Sequence, residues 1–116
     1  MTQHYVGTKI IVAWSQEKND HPGYAVKYPD GYISWSPEDV FEKAYLPIGT
    51  LDGKPEWFQR LVAERAELAH RLEKLTVYLD ASLDVPQGQL LRKQACLMAQ
   101  YLEVLEARLA ELNCAQ

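Results

Sequence analysis

The chain of 116 residues contains no apolar run approaching the roughly 20 residues that a membrane-spanning helix needs. Its opening, MTQHYVG, lacks the charged-then-apolar pattern of an export signal. Cysteine is scarce: Cys96 and Cys114 stand about 27 Å apart if they share a helix, too far to bridge within the chain. These absences predict a cytoplasmic protein with no membrane partner, its two thiols serving as small apolar fillers. Positive charge is short as well. The formal net charge is −4, with four Lys/Arg against six Asp/Glu in residues 1–50 and eight against ten in residues 51–116. Neither half has the cationic surface of a phosphate-backbone reader, so no DNA or RNA polymer is expected as partner. A small anion gripped by a few placed cations is compatible, because net charge says little about one pocket.

Signatures of catalysis are missing too. His4, His21 and His70 are scattered and share no metal-ligand spacing with each other or with the cysteines. There is no P-loop, no G-x-G-x-x-G and no G-x-S-x-G. Cys96 has Arg92 and Lys93 a turn away but no histidine beside it, and the Glu38/Asp39 pair is explained as the start of a helix. No enzyme activity, metal or cofactor is expected.

What is present divides into two parts. With 47% hydrophobic and 24% charged residues the composition is that of a folded chain. HYVGTKIIVAW (4–14) is β-branched and aromatic and reads as a strand; SQEKNDHPG (15–23) reads as a loop. GYAVKY (23–28) and YISWS (32–36) alternate on either side of the PDG turn at 29–31, predicting a hairpin. Tyr24, Val26 and Tyr28 share one face, while Ile33 and Trp35 oppose Tyr32, Ser34 and Ser36. SPEDVFEKAY predicts a short helix over 37–45, with Ser36 as its cap and Val40, Phe41 and Ala44 inward. LPIGTLDGK (46–54) is a linker. Beyond it, Phe58, Leu61, Arg65, Leu68, Leu72, Leu75 and Leu79 form a heptad seam. SLDVPQG (82–88) breaks it, and Leu91, Ala95, Met98, Leu102, Leu105, Leu109 and Leu112 repeat the spacing. The expected fold is α+β: a small antiparallel β-sheet with a short helix over 1–50, then a long antiparallel αα-hairpin over 51–116.

The hairpin has more apolar surface than its own seam can cover. A second stripe runs through Leu90, Gln94, Leu97, Tyr101, Val104 and Arg108, and another through Trp57, Glu64, Arg71 and Tyr78. Burying four such side chains contributes roughly 6–12 kcal/mol before ordering costs, so self-association is expected. Arg65 sits in the seam and needs a carboxylate, for which Glu64, Glu67 and Glu103 are in reach. Arg71 with Tyr78, and Gln94 with Tyr101 and Arg108, admit two readings. They are either register-setting interhelical bonds, or a pocket between subunits in which Arg grips phosphate and Tyr stacks on a base. Tyr32 and Trp35 likewise are either sheet core or the wall of a second site.

YVGTKIIVAW followed by GYAVKYPDGYISWSPEDVFEKAY resembles a module at the front of small bacteriophage proteins, some of which continue into domains associated with evasion of host signalling defences. The back half, with Arg60, Glu64, Leu68, Leu72, Leu75 and Leu79, then Leu91, Gln94, Met98, Tyr101, Leu102, Leu105 and Arg108, is similar to the helical-hairpin domain of phage anti-CBASS and anti-Thoeris proteins. Those proteins are oligomeric sponges that sequester cyclic nucleotide immune messengers without cleaving them. The resemblance implies a homo-oligomer, dimer or hexamer, in the host cytoplasm. It implies that CBASS cyclic oligonucleotides or Thoeris cyclic ADP-ribose isomers are held by Arg60, Arg71, Tyr78, Gln94, Tyr101 and Arg108, with Tyr32 and Trp35 as a second site. The alternative is a phage interaction or assembly module that offers the hairpin as a groove for a partner helix.

Overall fold

Asn19 and Asp20 both have positive φ, 52° and 64°, the mirror-image turn whose twist suits two paired strands. Around them the Lys18 and His21 amides donate to each other's carbonyls at 3.0 Å, and the Gln16 amide donates to the Gly23 carbonyl at 2.8 Å. In the computed structural model, which describes residues 2–114, this turn joins β1 (Val12–Ser15) to β2 (Gly23–Lys27). The stretch expected as a plain loop is thus largely the tip of a hairpin. The strand expected over 4–14 is shorter than its composition implies. Val12 pairs with Lys27, after which the chain turns away at Pro29, so among the described residues no strand stands opposite residues 4–11.

The second turn follows the sequence closely. The Gly31 amide donates to the Tyr28 carbonyl and the Tyr28 amide to the Tyr32 carbonyl, each at 2.9 Å, and Gly31 takes a φ of 92° that side chains resist. β3 (Ile33–Pro37) completes an antiparallel three-stranded sheet in the order β1-β2-β3. Ala25 pairs with Trp14 on one side and Trp35 on the other, and on the opposite face Val26 pairs with Ala13 and Ser34. Ala25 and Val26 are the buried residues of this central strand, with Gly23.

The short helix α1 (Glu38–Ala44) begins after Pro37 with no side-chain cap, because the Ser36 hydroxyl turns to the Pro37 carbonyl at 3.2 Å instead. Of Val40, Phe41 and Ala44, only Phe41 is covered. It stacks on Tyr24 at 4.2 Å and on Tyr45 at 5.0 Å, while Val40 and Ala44 stay exposed, since a two-turn helix covers a single ring with one side chain.

The chain divides into two compact units, Met1–Pro47 and Ile48–Gln116. The second is the hairpin of α2 (Glu56–Ala81) and α3 (Gly88–Cys114). Every residue of the two expected seams is buried or half-buried, with Leu105, Leu61 and Leu68 at the centre at 1%, 4% and 8% exposure. The Arg65 guanidinium meets Glu106 of α3 at 3.9 Å, not Glu64, Glu67 or Glu103. Glu64 and Glu67 share its helix, and the antiparallel register brings Glu106 to its level instead of Glu103. Gln87, with φ 58°, and the Arg92 guanidinium, donating to the Leu83 carbonyl at 3.3 Å, close the connection. The Cys114 thiol lies outside the described residues.

Candidate functional site

Heptad geometry sorts the polar residues of the stripes before any ligand is considered. In α2 the residues just before Phe58, Arg65, Leu72 and Leu79 are Trp57, Glu64, Arg71 and Tyr78. In α3 those before Ala95, Leu102 and Leu109 are Gln94, Tyr101 and Arg108. When two such helices run antiparallel, these sets border the same side of the seam. The Arg65–Glu106 pair belongs to the other side. Five of the six hairpin residues expected at the site therefore share one flank, alternating between the helices, and Arg60 lies just outside it. All of them are exposed, as are Leu90, Leu97 and Val104 beyond them.

Their bonds are local. Arg60 is paired with Glu56 and Arg71 with Glu67, the latter at 3.4 Å, each a turn away on the same exposed helix face. Such pairs contribute only about 0.3–0.5 kcal/mol, so an incoming anion can recruit either guanidinium at little cost. Arg108 has no ion pair among the described residues. The Gln94 amide rests 3.8 Å from the Met98 sulfur. Along α3 the surface opens into a shallow concavity of about 540 Å³ lined by Leu90, Lys93, Gln94, Leu97, Met98 and Tyr101; of the expected site residues it gathers Gln94 and Tyr101, and Arg60, Arg71, Tyr78 and Arg108 lie outside its lining. A tyrosine ring, an amide and a cation over an apolar floor can stack a base, read its edge and hold a phosphate. Lys93 is the lining residue that sequence reading did not single out. Its signal was its place one residue before Gln94, beside the apolar stripe.

Tyr32 and Trp35 belong to the sheet unit and, by alternation, to opposite faces of β3. Trp35 is tied down: its indole N–H donates to the Gln16 carbonyl at 2.7 Å, its ring covers Gly23, and the Lys18 ammonium stands 5.6 Å from the ring centre. Tyr32 is 64% exposed and stacks beside Tyr28 at 6.1 Å, over whose ring the Lys9 ammonium sits at 4.5 Å. A dent of about 410 Å³ beside Trp35 is lined by His21, Pro22, Pro37, Glu38 and Asp39, an acidic rim poorly matched to a phosphate.

Residues 55–111, nearly the whole hairpin, match the family model Sequestin. The match fits a family of sequestering proteins and stops short of the sheet unit. No match is found among curated proteins or among solved structures. Among the described residues no helix is long and apolar enough to cross a membrane.

Proposed function

We propose that this protein is a phage anti-defence protein that binds a cyclic nucleotide immune signal in the host cytoplasm and sequesters it without cleaving it. The observation that carries this reading is the exposed flank of Arg71, Tyr78, Gln94, Tyr101 and Arg108, lying within the segment that matches a sequestering family. Arginine and tyrosine alternating over an apolar strip are the groups that phosphates and bases require together. The lining of the concavity holds no nucleophile–base pair and no carboxylate, which favours holding over hydrolysis. Isothermal titration against cyclic di- and trinucleotides and cyclic ADP-ribose isomers tests it directly. One member should bind at micromolar concentration or better and be recovered unaltered; silence across the panel overturns the reading. In the bound case Arg108→Ala weakens affinity about tenfold or more, the loss of a charge-assisted bond, with the mass of the assembly unchanged. Leu90, Leu97 and Val104 on the same face favour a second reading, a groove for a partner helix. That reading gains if titration is silent and the flank variants lose a bound protein instead.

A further inference from the structure

Residues 4–11 are a strand in composition and make no backbone hydrogen bond among the described residues. They prolong β1, and the Lys9 ammonium over the Tyr28 ring shows that the prolongation keeps the alternation of the sheet. Tyr28 follows Val26 on the face that Val26 shares with Ala13. Odd-numbered residues of the segment therefore belong to the face of Ala13, and even-numbered ones to the face of Val12 and Trp14. Both faces are apolar, with Tyr5 and Ile11 on one and Val6 and Ile10 on the other. Tyr5 and Val6 are 85% and 97% exposed. The Gln16 amide donates to the Gly23 carbonyl, so even-numbered residues turn their backbone groups to β2 and odd-numbered ones turn theirs outward. An edge of this kind is a template for another strand. Within the chain nothing lies within 4 Å of where a Gly7 side chain would begin, so its bareness serves no contact there.

We propose that this edge pairs with the same edge of a second copy, antiparallel about a two-fold axis at Thr8, so that two three-stranded sheets become one continuous sheet. The side chains fix the register. With Thr8 opposite Thr8, Val6 meets Ile10 on one face and Tyr5 meets Ile11 on the other, and the symmetry makes each pair twice. Gly7 meets Lys9, and its bareness leaves room for the stem that reaches Tyr28. An axis at Gly7 sets Tyr5 against Lys9 and His4 against Ile10, and an axis at Lys9 sets two ammonium groups opposite each other. The free edge of β3 is a poorer mate. Pro37 offers no donor, and Ser34 and Ser36 make one face polar, whereas the segment is apolar on both. The contact lies outside residues 55–111, so it rests on neither the family match nor the sequestering reading.

Disulfide capture tests the register in the full chain carrying Cys96→Ser and Cys114→Ser. Thr8 and its counterpart form the pair without mutual hydrogen bonds, with α-carbons about 4.5 Å apart and within bridging reach. Under oxidised glutathione, Thr8→Cys chains link into dimers at least about tenfold faster than Val6→Cys or Ile10→Cys chains, whose own counterparts stand roughly 14 Å off. Val6→Cys and Ile10→Cys chains unfolded in urea and refolded together link to each other at a rate within about threefold of Thr8→Cys. Adding Gly7→Pro to Thr8→Cys removes an outward donor and slows linking about tenfold or more. The urea midpoint of the sheet unit stays unchanged, because Gly7 makes no backbone bond within the chain. Equal rates for Thr8→Cys, Val6→Cys and Ile10→Cys overturn the pairing. Preferential linking of Val6→Cys to Ser34→Cys chains overturns it too, since it seats the segment on the copy's β3.

Discussion

Gly23 shows how one missing atom sets a local fold. The Trp35 indole lies across it, so a Cβ there would overlap both the ring and the Ser36 carbonyl. Neither the backbone nor a ring anchored to the Gln16 carbonyl can yield easily. Gly23→Ala should therefore destabilise the sheet unit by about 2–3 kcal/mol, read as a lower urea midpoint at unchanged slope. Tyr24 offers a pH-dependent counterpart. Its hydroxyl donates to Glu42 at 2.8 Å, and that bond, followed by burial and the negative charges of Glu42 and Glu38, raises its pKa above the ordinary 10.0. A phenol raised in the folded state contributes its full stabilisation below pH 10 and loses it as pH climbs through the raised value. The urea midpoint of the natural chain should fall more steeply above pH 10 than that of Tyr24→Phe, which has no proton to lose.

At the scale of elements, the hairpin was legible because its period is long and its seam nearly unbroken. Twenty-odd residues of three-four spacing leave one way to bury the leucines, and the seam residues are the covered ones. Leu105, the most enclosed, should cost about 2–5 kcal/mol when cut to alanine, visible as a drop in the helical melting midpoint. Arg65→Leu should be neutral or mildly stabilising in the same melt, because its pair with Glu106 is long and half-exposed and a leucine continues the seam. Short elements were harder to read. Residues 4–11 have strand composition without a strand to pair with, and a sequence does not display the partner a ladder needs. The Asn19–Asp20 turn lacks the Asn-Gly signature and passed as loop, although the strand that follows it was legible from Gly23 onward.

For the whole molecule, the stripes outside the seam were readable as surplus apolar surface, and the structure leaves Trp57, Tyr78, Leu90, Leu97, Tyr101 and Val104 open to solvent. Which of them meet was less readable, since that depends on the antiparallel register and on which flank each helix turns outward. Lys93 was weighed only as a neighbour of Cys96, because a lysine beside a leucine stripe looks like ordinary surface. If copies cover this surface, stability becomes a function of how much protein is present. The melting midpoint of the hairpin should rise with each tenfold increase in concentration, whereas a lone chain melts at a fixed temperature. The three indoles are divided unevenly: Trp14 and Trp35 lie in the sheet unit, while Trp57 stands 56% exposed at the head of the hairpin's open flank. With Trp14 and Trp35 exchanged for phenylalanine, the remaining indole becomes a native optical gauge, its emission shifting to the blue as the flank is occupied and reporting loading without a dye.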